Sequence, residues 1–268
     1  MYKMSLITVS EEKCIKCELC IKECPVDFLK MGEKGPEEIV GANCIKCGHC
    51  VAVCPNAAID NKKSPLAQQV DLKEFPKLGE KQVEHFLRTR RSIRNYKNKS
   101  VPREELTKLV NIARLAPTAE NSQGISFVVV ENKQLIEKAT EISIQMIEDS
   151  PLRYLVEAAV RSYREDGVDS IFRGAPNLII IITDKDLRSA RDNSVSSLTY
   201  LELYAPSLGL GSCWAGIFEY CASIDSSPML KLFNIPEGKK ITAAVMVGYP
   251  NYSYQRLVDR NPLDVIFL

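Results

Sequence analysis

Eight cysteines near the start of the chain constrain its fold more than any other feature, because they form two copies of one pattern. Each copy reads Cys-x-x-Cys-x-x-Cys-x-x-x-Cys-Pro, and the second begins thirty positions after the first. The copies contain Cys14, Cys17, Cys20 and Cys24, and then Cys44, Cys47, Cys50 and Cys54. The first residues lack the apolar core of a signal peptide, so we expect a cytoplasmic chain. In that reducing compartment, clustered cysteines indicate metal or redox chemistry rather than disulfides.

This spacing is typical of ligands to two [4Fe–4S] clusters. The first three thiolates of a copy wrap one cubane, while the fourth reaches the other cluster, and we expect that fourth cysteine to open a helix. The proline after it ends the loop. On this rule the ligands of the first cluster are Cys14, Cys17, Cys20 and Cys54, and those of the second cluster are Cys44, Cys47, Cys50 and Cys24.

Zinc is the alternative occupant of these cysteines. Structural zinc sites use paired knuckles with four ligands per metal, whereas here a third cysteine and a Cys-Pro pair follow each knuckle. His49 lies inside the second copy, but four thiolates already saturate a cluster, so we interpret it as a neighbour that tunes the potential. The segment over residues 5–62 resembles bacterial-type two-cluster ferredoxins.

Proline, glycine and mixed charge over residues 61–65 and 75–79 mark a join in the chain. We therefore predict a two-cluster domain over 1–62, a linker over 63–80 and a larger domain over 81–268. In the larger domain, helical periodicity alternates with apolar strands. The pattern predicts helices over 102–116, 134–147, 151–164 and 194–208, and strands over 126–131, 177–183 and 242–247. Such alternation indicates an α+β or α/β domain in which helices cover a sheet.

The bulk composition excludes two classes of partner. The net charge is +1, so no basic field favours nucleic acid. No stretch approaches the roughly 18 apolar residues that would span a membrane.

Three segments of the larger domain break the periodic pattern. Residues 90–96 carry three arginines and a serine that would hold a phosphate, unless they form a solvated basic turn. Residues 116–124 suit the polar edge of a planar heterocycle, with an ordinary loop as the alternative. Residues 208–216 carry glycines that would let backbone approach a flat ligand, but Trp214 stands where a dinucleotide fingerprint needs glycine. Cys213 is a redox thiol or, as we favour, a packing residue, and Cys221 is structural.

Together these segments resemble a known family. R-R-S-I-R-x-Y, A-P-T-A-x-N-S-Q, G-L-G-S-C-W-x-G and V-G-Y-P occur in the order typical of the nitroreductase family of FMN enzymes, over about residues 82–268. Members with a fused two-cluster ferredoxin are known, and the whole chain is similar to them. The resemblance implies an α+β sheet sandwiched by helices, built as an intertwined homodimer with FMN at the subunit interface.

The resemblance also implies which residues bind FMN. Two segments would act from one subunit, a third from its partner, and a late arginine would meet the phosphate. The first segment, which would contact the phosphate and the pyrimidine ring, contains Arg90, Arg91, Ser92 and Arg94. The second, beside flavin N5, contains Trp214, Ala215 and Gly216. The partner would supply Pro117, Thr118, Asn121 and Gln123, and the late arginine is either Arg256 or Arg260. Gly124 and Ile125 follow where many members have Pro-Trp, which leaves the substrate open.

The expected function is a flavin-dependent oxidoreductase that passes electrons from its clusters to FMN and then to a nitroaromatic, quinone or activated alkene. Flavin N5 is the reactive centre and no side chain is expected to be catalytic. A proton would come from solvent, Tyr96 or Cys213. The donor is reduced ferredoxin or NAD(P)H. One alternative is a redox-partner protein without a dedicated substrate, and another is a flavin-free scaffold beside an active ferredoxin half.

Overall fold

The computed structural model describes residues 5–72, 75–150 and 153–268, and the chain divides into two compact units. The first unit runs to Lys77 and also takes in Glu120–Ser122, and the second comprises Leu78–Ala119 and Gln123–Leu268. Across the described residues, no helix combines the length and apolar character needed to cross a bilayer.

The first unit is built from two short antiparallel strand pairs and two one-turn helices. Its elements are β1 (Ile7–Val9), α1 (Leu19–Lys22), β2 (Leu29–Met31), β3 (Pro36–Glu38), α2 (His49–Ala52) and β4 (Ile59–Asn61). Strand β1 pairs with β4, and β2 pairs with β3. The thirty-residue repeat extends to the backbone: Lys16 and Lys46 share a left-handed conformation, with φ of 54° and 61°, and so do Asp27 and Ala57.

The position of the helices corrects one prediction. The third cysteine of each copy lies in a helix, Cys20 in α1 and Cys50 in α2, whereas the fourth follows the helix end. The backbone N–H of Cys24 closes the last turn on the carbonyl of Ile21 at 3.1 Å. A residue before proline is disfavoured in the α region, so the Cys-Pro pair ends the helix instead of opening one.

The second unit is a four-stranded sheet with helices on both faces. Its elements are α3 (Glu80–Thr89), α4 (Arg103–Ala113), β5 (Ile125–Val130), α5 (Lys133–Glu148), α6 (Arg153–Asp166), β6 (Asn177–Asp184), α7 (Ala190–Tyr204), β7 (Gly211–Trp214), α8 (Gly216–Ile224), α9 (Ser227–Leu232) and β8 (Lys239–Gly248). The strand order is β5-β6-β8-β7 and every neighbouring pair is antiparallel. The fold is therefore α+β.

Strand β6 is the centre of this unit, as its apolar sequence predicts. Its residues alternate between two layers, with Ile180 in the core beneath α5 and α8, and Ile179 in the core beneath α4 and α7. The predicted helices and strands are all present with shifted ends, although the first residues of the helix predicted over 151–164 lie outside the described part of the chain. Strand β7 and helices α8 and α9 were not predicted.

Candidate functional site

The four cysteines predicted to hold the first cluster line one cavity. These cysteines are Cys14, Cys17, Cys20 and Cys54, of which the last comes from the second copy. The cavity walls are apolar, with Val9, Met31 and Ile59 among them. Burial raises the pKa of the Cys20 thiol, and the neighbouring Cys54, Cys17 and Cys14 sulfurs raise it further. The cavity thus brings Cys54 of the second copy together with three cysteines of the first, as expected if the copies exchange a ligand.

Three cysteines of the second set, Cys44, Cys47 and Cys50, also lie close together. Burial raises the pKa of the Cys50 thiol to about 11, and the nearby Cys44 and Cys47 sulfurs contribute to the rise. Cys20 is also close enough to affect Cys50, so the two sets are neighbours. Backbone N–H groups point at the exchanged ligands: Phe28 N lies 3.2 Å from Cys24 Sγ, and Ala58 N lies 3.2 Å from Cys54 Sγ.

Chemistry and geometry of these cysteines fit iron–sulfur clusters. Within the parts of the chain that the structure describes, no three histidine, cysteine, aspartate or glutamate side chains converge as ligands of one metal ion. A cubane instead takes one thiolate at each iron corner, so its four ligands surround a volume instead of meeting at a point. An all-thiolate donor set around an apolar cavity matches that demand.

Two of the three predicted flavin-binding segments lie side by side in the second unit. Ser92 forms a parallel bridge with Ser212 of β7, and Ile93 N donates to Ser212 O at 2.8 Å. Gly211 makes this approach possible, since an added Cβ would lie 2.5 Å from Ile93 Cγ1. Gly211 therefore accommodates the chain itself, whereas an added Cβ at Gly216 would meet no described residue within 4 Å.

A buried carboxylate joins these two segments. Glu202 on α7 accepts a hydrogen bond from the Trp214 indole at 2.7 Å, and its second oxygen lies 3.7 Å from Arg90 Nη1. That oxygen, Oε1, is buried and accepts no hydrogen bond in the structure. Burial raises the pKa of Glu202, against the lowering effects of Trp214 and Arg90. Sequence reasoning missed this residue, although a carboxylate among the apolar residues of a helix was a signal.

A second ion pair, which the sequence did not reveal, lies against the Trp214 ring. Arg191 Cζ lies 5.0 Å from the centre of the indole ring, and its Nη1 bonds to Glu219 Oε2 at 2.8 Å. Burial raises the pKa of Glu219 even though the backbone N–H of Ala244 and Arg191 both lower it. An open cleft of about 480 Å³ beside these groups is lined by Arg191, Glu219 and Gly216.

The third predicted segment is held by bonds of its own. Thr118 Oγ1 accepts from Gln123 N at 3.0 Å, and Asn193 accepts from Ala119 N at 2.9 Å. Asn121, which belongs to the first unit, donates from Nδ2 to the carbonyl of Ile45 at 3.0 Å. Asn121 and Gln123 both have positive φ. Pro117 is exposed. The structure thus joins Thr118 to Gln123, and it bonds Asn121 to Ile45 of the first unit.

The remaining arginines with a predicted role at FMN are exposed or partly exposed. Arg91 stacks on the Tyr254 ring at 5.4 Å, and Arg94 is exposed. Arg256 and Arg260 are both exposed in the C-terminal segment, so the structure does not choose between them.

The two candidate reactive side chains, Tyr96 and Cys213, are buried, and so is Cys221. Tyr96 is buried and donates its hydroxyl to the carbonyl of Ile93 at 2.6 Å, and burial raises its pKa. Burial also raises the pKa of Cys213, which disfavours the reactive thiolate form. Cys221 is fully buried, and its pKa is raised to about 11. These features favour packing roles for both cysteines and argue against Tyr96 as a proton donor.

Comparison with known proteins identifies both parts of the chain. The Nitroreductase family matches residues 87–249, and a 4Fe-4S dicluster domain matches residues 6–55. A provisionally named NADH dehydrogenase/NAD(P)H nitroreductase of Methanothermobacter thermautotrophicus is 29% identical over 65% of this chain and 80% of its own length. An iodotyrosine deiodinase of Thermotoga neapolitana is 25% identical over 64% and 90%, respectively. A solved Bacteroides fragilis nitroreductase with bound FMN superposes with a TM-score of 0.59 at 21% identity, covering 71% of this chain and 100% of that one. This structural likeness shows that this chain shares the fold of that nitroreductase.

Proposed function

The chain belongs to the nitroreductase family, and on that premise we propose that it is an FMN-dependent oxidoreductase fed by two [4Fe–4S] clusters of its own. The observation that carries the proposal is the presence, in one chain, of both cysteine sets and the joined Arg90 and Trp214 segments. We place the two-cluster domain over 1–62 and the flavin domain over 81–268. Cluster thiolates need a reducing compartment, which supports a cytoplasmic location.

The chain's own residues prepare the cluster sites. When bound, [4Fe–4S] clusters carry single electrons at potentials that the surrounding protein sets. Apolar walls around Cys14, Cys17, Cys20 and Cys54 exclude water from the sulfurs. Backbone N–H groups at Cys24 and Cys54 stabilise negative charge on sulfur. Because Cys20 and Cys50 are neighbours, the two sites lie within reach of each other.

The proposed flavin site is built around the Glu202 carboxylate. When bound, FMN takes up electrons and delivers them in pairs from N5 to an acceptor on its face. Arg90, Arg91, Ser92 and Arg94 supply charge and hydrogen bonds that suit the phosphate and the pyrimidine edge. Trp214 is fixed by Glu202 and Arg191, so the adjoining Ala215–Gly216 backbone is held in place. The open space at Gly216 leaves room for a flat ligand.

We propose a homodimer that completes this site. Helix α3 exposes Val83, Phe86 and Leu87, and the C-terminal segment ends in exposed Phe267 and Leu268. Exposed apolar groups on this scale are typical of an interface. Pro117, Thr118, Asn121 and Gln123 would then act on the partner's flavin, and Arg256 or Arg260 on the phosphate.

The acceptor class we propose is a nitroaromatic, a quinone or an activated alkene. The cleft beside Gly216 is lined by Arg191 and Tyr220, and this pairing of a cation with an aromatic ring suits an electron-poor aromatic ring with a polar substituent. Reduced ferredoxin or NAD(P)H would be the donor. A second candidate is a redox-partner protein without a dedicated substrate, which slow turnover on every small acceptor would favour.

Anaerobic visible spectroscopy on the purified protein tests this function. Iron and flavin are counted per chain, and reduced ferredoxin, NADH and NADPH are then added separately. We expect about eight irons and one FMN per chain, with the clusters bleaching before the flavin. About four irons would rule out two clusters. Flavin bleaching by a nicotinamide ahead of the clusters would reverse the proposed direction of electron flow.

A further inference from the structure

We infer that Asn61 sets the order of the two cluster potentials and makes the second cluster, held by Cys44, Cys47, Cys50 and Cys24, the more easily reduced. The inference rests on the proposed two-cluster function and extends it. Asn61 is the last residue of β4 and is only 1% exposed. Its side-chain Nδ2 lies 3.8 Å from Cys44 Sγ, within hydrogen-bond reach of sulfur.

The orientation of the Asn61 amide is fixed by a second bond. Lys63 N donates to Asn61 Oδ1 at 2.9 Å, so the oxygen is the acceptor and the NH2 group must face the sulfur. A flipped amide would place two donors against each other at Lys63 and an oxygen lone pair against the sulfur. The turn after β4 therefore aims a donor at one ligand.

The first cluster has no equivalent donor at the corresponding position. The residue thirty positions earlier is Met31, which ends β2 as Asn61 ends β4 and lines the cavity with Cys14. Its thioether cannot donate a hydrogen bond. The exchanged ligands do not create this difference, because Phe28 N and Ala58 N reach Cys24 and Cys54 at equal distances.

Cys44 carries more hydrogen bonds than any other cluster cysteine in the described part of the chain. Lys46 N lies 3.3 Å from its Sγ, and Asn61 Nδ2 adds the side-chain donor. Two acidic residues differ between the copies, Glu18 in place of Gly48 and Glu23 in place of Val53. Both are exposed, Lys22 pairs with Glu18 at 3.3 Å, and His49 Nδ1 lies 3.9 Å from Glu23. His49 replaces Leu19 of the first copy, but its side chain is exposed and lies 3.9 Å from Glu23. The Asn61 amide, at the position of Met31, is therefore the buried donor that differs between the two sites.

Hydrogen bonds to the sulfurs raise a cluster's reduction potential, because the added electron increases the negative charge that the donors stabilise. At equilibrium a single electron shared by the pair would then reside mainly on the second cluster. The first cluster would then be the lower-potential member of the pair, so transfer of an electron from it to the second cluster would be downhill.

An EPR-monitored redox titration of the anaerobic holoprotein tests the inference. Asn61→Asp keeps the oxygen that accepts from Lys63 but replaces the donor, and Asn61→Leu removes the donor without adding charge. Both should make the higher of the two wild-type couples harder to reduce, by about tenfold or about 59 mV for one electron. Met31→Leu, at the matching position, should move neither couple.

The reciprocal variant Met31→Asn is expected to raise the lower couple, and it keeps the inference testable if the Asn61 variants lose a cluster. A shift of the lower couple in Asn61→Leu, equal shifts of both, or no shift would each overturn the inference. About four irons per chain would overturn the two-cluster function as well. About eight irons with unmoved couples would overturn the inference alone.

Discussion

Glu202 is the residue that links two distant segments of the proposed flavin site, and its replacement tests that link. Glu202→Leu leaves the Trp214 indole N–H and the Arg90 guanidinium without their partner. We expect a loss of about 1–3 kcal/mol in the free energy of unfolding and weaker FMN binding. Glu202→Gln retains an acceptor for the indole and should lose less.

The measurement for Glu202 is FMN binding to the flavin-depleted protein, followed by quenching of flavin fluorescence, together with thermal unfolding. Trp214→Phe is the matched variant, since it keeps an aromatic ring for Arg191 but removes the indole donor. Unchanged FMN affinity in both Glu202→Leu and Trp214→Phe would remove Glu202 from the flavin site and leave it a role in stability alone.

Buried carboxylates also give the unfolding free energy a pH dependence. The pKa of Glu202 is raised by burial above its ordinary value of 4.5, so the folded state binds its proton more tightly than the unfolded state does. Its contribution is therefore most favourable below pH 4.5 and is lost as the pH rises through the folded pKa. At pH values above the folded pKa, Glu202 carries a charge that burial disfavours, and Glu202→Gln removes that charge.

At the scale of single elements, the packing of strand β7 against residues 90–94 depends on Gly211. Gly211→Ala would place a Cβ 2.5 Å from Ile93, and such overpacking is expected to destabilise the protein by about 1–3 kcal/mol. Thermal unfolding measures the loss. Gly216→Ala, where the new Cβ meets nothing within 4 Å, is the stability control. Ile93→Ala combined with Gly211→Ala should recover part of the loss, and equal stabilities for all three variants would contradict this packing.

Among the helices and strands, the length of an element decided whether the sequence could predict it. The long helices and the apolar strand β6 could be predicted because their periodicity or continuous apolar character extends over many residues. Helices α1 and α2 span four residues each, too few for a periodic signal, so the helix was expected at the wrong cysteine. Strand β7 was hidden by its glycine, which is present to admit Ile93.

In the candidate site, too, the features with a local sequence signal could be predicted, and those that depend on distant residues could not. The gathering of Cys14 and Cys54 at one cavity could be predicted because the chemistry of cluster ligation fixes the local spacing of the cysteines. Glu202 could not, because its partners Arg90 and Trp214 are distant along the chain and meet it only after the sheet and helix α7 have packed. The role of a buried polar group can be inferred only once its hydrogen-bond partners are known.

For the whole molecule, the decisive feature is the exposed C-terminal segment. Residues 251–268 form no helix or strand and are exposed throughout, although Ile266 and Phe267 are large and apolar. If a second copy covers them, replacing Ile266 and Phe267 by serine should shift the protein from dimer toward monomer and reduce its FMN content. Burial of each such side chain contributes about 1.5–3 kcal/mol, enough to weaken association strongly.

Sedimentation velocity at several protein concentrations measures this change, with iron and flavin counted on the same samples. Asp264→Ser is the matched control, because it alters the same segment without removing apolar surface. Iron should stay at the wild-type value in every variant, since all eight predicted ligands lie in the first unit. A loss of FMN that accompanies dissociation while the clusters remain would show that each flavin site needs both chains. A wild-type protein that sediments as a flavin-bound monomer would instead show that a single chain completes the site.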